Sequence, residues 1–166
     1  GANNTEKDDT REVYQVSRYS KDWKSQGSCG LFGANTTYPF DAGSARITSY
    51  GKYLFVRTCH EMYNGHQANV TFSVDTSKMS IVDSFTGVSN TNLGYVSHSF
   101  NQFILIDDQA NIVALDHGDA YPRGALLGMY EKTASENSFR GDYFADLVWV
   151  AQGEEGVNYT GMSLGG

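Results

Sequence analysis

Apolar and polar residues alternate in short runs along most of the chain, and each run is cut by a polar or glycine-containing segment, the pattern of an antiparallel β protein. The first run, EVYQVSRYS from Glu12, sets Val13, Gln15 and Ser17 against Tyr14, Val16 and Arg18. It predicts a half-exposed strand closed by the turn SKDWKS. Residues 25–45 mix glycines with apolar residues and read as a long connection holding one short strand around Leu31 and Phe32. Arg46 to Tyr50 and Lys52 to Thr58 then flank a single Gly51 as two strands across a tight turn. The second leaves the sheet through Asn64 and Gly65, and Val70 to Asp75 and Met79 to Ser84 follow as strands joined by TSK. These four make an antiparallel meander.

A second hairpin is predicted from Gln102 to Asp107 and Ile112 to Leu115, with DDQAN as its turn. The segment around Glu136 carries no helix signal, and Leu147 to Val150 form a last strong strand. Residues 1–11 are polar, charged and aperiodic, so they read as a disordered arm ahead of one β domain over 12–166.

Two segments match one another. Ser49 to Val56 (SYGKYLFV) parallels Ser99 to Ile106 (SFNQFILI) at an offset of 50, aromatic on aromatic and aliphatic on aliphatic. The segments SRYSKDWK, FSVDTSKM and GMYEKTAS each place a strand end before a polar turn at intervals of about 55 residues. Units of four short strands with a period of about 50 residues resemble the blades of kelch-like and WD40-like β-propellers, in period and strand count only. The motifs RTCHEMY, YVSHSFNQF and ALDHGDAYPR resemble those of uncharacterised bacterial extracellular propeller-like proteins. The resemblance implies a partial propeller with whole blades at about 44–93 and 94–150 and partial units at each end. A β-sandwich is the alternative fold.

Composition narrows the class. Eleven Tyr, nine Phe and eighteen Gly against two Pro suit twisted sheets with many turns, and 166 residues suit one domain. A formal net charge of -7 argues against a nucleic-acid backbone or an anionic membrane as partner. No apolar run reaches the roughly 18 residues that cross a membrane as a helix. Cys29 and Cys59 match no metal motif and are expected as free, buried thiols. Abundant Asn and Tyr point to an extracellular or cell-surface protein, with NxT triplets at Asn35, Asn69 and Asn158. An opening Gly1 ahead of ANNTEKDDT has the look of a cleavage scar.

Chemically capable side chains fall at the ends of apolar runs, in three groups. They are Arg57, His60 and Glu61; His98 and Asn101; and Asp116, His117, Asp119 and Arg123 within DHGDAYPR. In a propeller such strand ends surround the channel mouth, where three histidines with carboxylates could serve a ligand or general acid–base chemistry. No HExxH, EF-hand, phosphate loop or nucleophile elbow is present, so neither a metal nor a cofactor is predicted. Structural roles compete with each: Asp and His beside Gly tie down turns, and Arg123 would pair with Asp116 or Asp119.

Tyr14, Tyr19, Trp23, Tyr38, Phe40 and Tyr63 lie in or beside expected loops, where flat rings stack on sugars or peptides. The function that follows is a binding or surface-interaction module of a secreted bacterial protein, with a glycan or peptide as ligand. A propeller-type hydrolase or transferase with a His/Asp site is the alternative. Two blades and a fraction cannot close a ring of four to eight, so open sheet edges are expected to favour self-association or to mark an excerpt of a longer protein.

Overall fold

The computed structural model describes residues 10–34, 36, 38–40, 44–61, 67–86, 89–90, 95–96, 99–118, 124–130 and 143–150. Among them every regular element is a β-strand and every pairing is antiparallel. The all-β class read from the alternation is therefore the class observed, and the sheets include a curled half-barrel.

The chain opens as a hairpin of β1 (Tyr14–Tyr19) and β2 (Ser25–Leu31). The glycine-rich connection expected over 25–45 thus begins with a full strand. Ser, Gln and Gly are poor strand formers, and pairing with β1 overrides that local preference by burying Cys29 and Leu31 on alternate positions. Gly27 permits a φ of 127° beside the register shift between Arg18 and Tyr19, a conformation that other residues rarely adopt.

The central sheet contains β3 (Tyr38–Pro39), β4 (Arg46–Tyr50), β5 (Tyr53–Glu61), β6 (Gln67–Asp75) and β7 (Ser80–Thr86). Its backbone follows the expected meander from β4 to β7. The tight turn between β4 and β5 has Gly51 at a φ of 57°. Along the outer side of β5, β4 pairs Arg46 through Tyr50 with Arg57 through Tyr53, and β3 takes over at His60 and Glu61. Pro39, which has no N–H to offer a ladder, sits in that short outer strand.

Alternation gives β5 and β6 two unlike faces. One carries Leu54, Val56, Val70, Phe72 and Val74, and the β1–β2 hairpin covers it with Tyr14, Val16, Cys29 and Leu31. Each large apolar side chain buried there contributes roughly 1.5–3 kcal/mol. The other face presents Phe55, which packs with Ile104 and Ile112 of the next sheet. That sheet is the meander β10 (Ser99–Ile106), β11 (Ile112–Gly118), β12 (Gly124–Tyr130) and β13 (Tyr143–Val150). Between the two meanders, β8 (Ser89–Asn90) and β9 (Tyr95–Val96) form a short ladder of their own.

The matched segments differ in where the chain turns. Ser49 to Val56 bends at Gly51, whereas Ser99 to Ile106 is one strand with a register shift between Ser99 and Gln102. The residues of the expected arm before Thr10 lie outside the described residues.

Candidate functional site

The β1–β2 turn is built by Ser20. Its carbonyl accepts from the Trp23 N–H at 3.0 Å, its hydroxyl accepts from the Lys24 N–H at 3.1 Å, and its own N–H donates to the Lys24 carbonyl at 2.9 Å. Asp107 builds the β10–β11 turn in the same way. There the Ala110 N–H reaches the Asp107 carbonyl at 3.0 Å, the Asn111 N–H reaches Oδ1 at 2.7 Å, and the Asp107 N–H donates to the Asn111 carbonyl at 3.1 Å. Asp107 thus has its carboxylate committed to the turn, and Asn111 Nδ2 donates to its other oxygen at 2.8 Å.

This turn needs a left-handed residue at its fourth position. Ala110 takes it with a φ of 67° and is buried; Trp23 takes it with a φ of 59° and is 83% exposed. Tryptophan is a poor choice there on local grounds, because a bulky side chain at positive φ costs about 1–2 kcal/mol. It returns nothing to the core. What it does make is a ring pair: Tyr19 lies 6.2 Å away, centroid to centroid, at an interplanar angle of 51°, and is itself 51% exposed.

The remaining rings divide. Tyr14, counted from sequence among the rings in or beside loops, packs against the core: it meets Phe72 edge-on at 6.2 Å and its hydroxyl donates to the Cys59 carbonyl at 2.9 Å. Its place in β1, facing the central sheet, is the reason. Tyr38 is half-buried under the Arg11 guanidinium, 4.7 Å above its ring, and Phe40 is half-buried too. Tyr63 lies outside the described residues.

Of the reactive groups, Arg57 and His60 stand on β5 three residues apart, so the strand sends them to opposite faces. Both are buried. Arg57 Nη1 donates to Thr71 Oγ1 at 2.7 Å, in a polar layer that also holds Asn69, Ser73 and Gln102. His60 pairs across the backbone with Pro39 and Ala68, and neither ring nitrogen has a hydrogen-bond partner among the described residues. Burial lowers its pKa to about 4, so the ring is neutral at neutral pH.

Glu61, Asn101, Asp116 and His117 are placed as strand positions: Glu61 pairs with Tyr38 and Gln67, Asp116 with Gln102 and Leu126, and His117 with Ala125. Asn101 falls within the register shift of β10. His98, Asp119 and Arg123 lie outside the described residues. Among those described, no three His, Cys, Asp or Glu side chains gather at metal-binding range. Cys29 and Cys59 are buried and form no disulfide among the described residues, and burial, with Glu12 adding to it, pushes the Cys29 thiol up. Asn69 of the NVT triplet is buried and accepts from Gln102, which closes it to a glycan in the folded chain. Asn35 and Asn158 lie outside the described residues.

Sequence reasoning missed two polar links. Gln102 Nε2 reaches Asn69 Oδ1 at 3.1 Å, and Lys52 Nζ reaches Asp75 Oδ2 at 2.9 Å; both join segments far apart in the chain, for which no local signal exists. No family model matches the chain, and neither a curated protein nor a solved structure matches it.

Proposed function

We propose that this chain is a binding module, part of an exported protein, that presents Tyr19 and Trp23 to a ring-bearing ligand. One observation carries the reading: a tryptophan occupies a left-handed turn position that a buried alanine fills in the matching turn, and its indole stands in solvent beside a second ring. A strained residue that contributes nothing to the core points to use at the surface. Two tilted rings suit the apolar face of a sugar or a planar peptide side chain. The two consecutive meanders, β4–β7 and β10–β13, support the blade-like reading of the scaffold.

The rival reading, a hydrolase or transferase, draws on Arg57, His60 and the DHGDAYPR group. For the two whose side chains are described, opposite faces and burial favour structural roles.

A glycan and peptide array tests the proposal. Trp23→Ala should weaken any binding about 30-fold, the effect of losing an aromatic anchor worth about 2 kcal/mol. Its circular dichroism should match the wild type. Binding that survives Trp23→Ala unchanged, or turnover in a hydrolase screen with no array binding, would overturn it.

A further inference from the structure

Three turns meet at the end of the molecule that carries the ring pair. Arg18 Nη1 donates to the Thr76 carbonyl at 2.6 Å, and a Cβ on Gly27 would lie 3.3 Å from Met79 Cγ, so the β1–β2 hairpin rests against the β6–β7 turn. Thr76 in turn donates from its N–H and its hydroxyl to the Lys52 carbonyl, at 2.9 and 2.6 Å, which brings in the β4–β5 turn.

This assembly collects more positive than negative charge. Arg18, Lys21, Lys24, Lys52 and Lys78 lie on or beside these turns, five of the twelve Lys and Arg in the chain. Asp22 and Asp75 are the acids of the same turns, and Asp75 is already paired with Lys52. The end therefore carries a positive surplus on a protein whose formal net charge is -7. Lys21, Lys24 and Lys78 are exposed and make no ion pair among the described residues.

Resting on the binding-module reading above, we propose that this end binds an acidic polysaccharide. Sugar faces stack on Tyr19 and Trp23, and the carboxylates lie against Lys21, Lys24 and Lys78.

Two observations select this ligand over other anions. Three backbone donors of the tip are spent within it, since Ser20, Trp23 and Lys24 N–H all bond inside the turn. Recognition falls to rings and ammonium groups, whereas a peptide strand is held by main-chain hydrogen bonds to a sheet edge. A nucleic-acid backbone is held by a basic groove that tracks many phosphates, and five cations on a protein of formal net charge -7 offer no such track. A uronate polymer offers an apolar ring face beside each carboxylate, which is the pairing of features found here.

The test compares polygalacturonate and hyaluronan with their methyl esters, which keep the rings and mask the charge. Wild-type protein should bind the acids at least about fivefold more tightly than the esters, with the gap closing as about 1 M salt shortens the screening length to about 3 Å. Combined Lys21→Gln, Lys24→Gln and Lys78→Gln should erase the preference and leave ester binding intact. Trp23→Ala should weaken acid and ester alike. Equal binding of acid and ester by the wild type, abolished by Trp23→Ala, would overturn this inference and leave the binding module standing. Binding of a single-stranded oligonucleotide or a polyglutamate peptide in preference to both acids would also overturn it. Failure to bind acid, ester or any array ligand would overturn both.

Discussion

Gln102 on β10 donates through Nε2 to Asn69 Oδ1 on β6 at 3.1 Å, and both side chains are out of solvent. The bond ties one meander to the other through a polar layer. Gln102 is held from its other side by Ser44, whose N–H and hydroxyl both reach Oε1, at 3.0 and 3.1 Å, while Ser44 Oγ accepts from the Gln102 N–H at 3.1 Å. A buried amide with this many partners fixes the register of β10 over the central sheet.

Replacing Gln102 by Leu should leave Asn69 and Ser44 short of partners and lower stability by about 1–3 kcal/mol. A double-mutant cycle with Asn69→Ala, read from urea unfolding, should return a coupling of about 1 kcal/mol. Purely additive effects would show that the bond does not couple the sheets.

Trp23→Gly should raise stability by about 1 kcal/mol, because glycine occupies the left-handed region without the cost that an indole bears there. The same substitution should weaken ligand binding about 30-fold, as Trp23→Ala does. Thermal unfolding and the array together check the trade, and a Trp23→Gly protein that is less stable than wild type would mean that the indole packs on its surroundings.

His60 predicts an acid limb in the stability profile. Its pKa in the fold is about 4, against 6.5 for the free side chain, so between those values the unfolded chain binds the proton and the folded chain does not. Stability should be full above pH 6.5, fall by up to about 3 kcal/mol as pH drops to about 4, and lose nothing more from this group below that. In His60→Leu the part of the slope between those pH values due to this ring should vanish, whatever the level of stability. Urea midpoints at several pH values measure both.

Asp75 predicts the opposite dependence. The Ser77 hydroxyl, at 2.6 Å, and then Lys52 hold its carboxyl well below the usual carboxylate range. Its stabilisation is present above an unfolded value of 3.8 and disappears as pH falls through the lower folded value. Asp75→Asn should therefore unfold at lower urea than wild type at neutral pH, with the difference shrinking in strong acid. A gap of constant size across pH would assign the effect to hydrogen bonding of the turn and not to charge.

The chain itself determined the class and most of the strand order. Alternation along Tyr14 to Arg18, the Gly51 break and the DDQAN turn each act over a few residues, and local geometry sets them wherever they occur. Tertiary structure decided what those faces meet. Val70, Phe72 and Val74 alternate with Asn69, Thr71 and Ser73, and nothing in that pattern says that the polar face is also buried; β10 covers it, with Gln102 reaching Asn69 from 33 residues further along the chain. SQGSCGL became a strand only because β1 lay alongside it. Alternation places Tyr14 in the first strand and Trp23 in its turn, but it does not say which face of that strand is covered or whether the turn packs. The register of β1 turns Tyr14 onto Phe72, and the left-handed corner turns Trp23 into solvent, because a side chain's surroundings depend on which distant strand lies across from it.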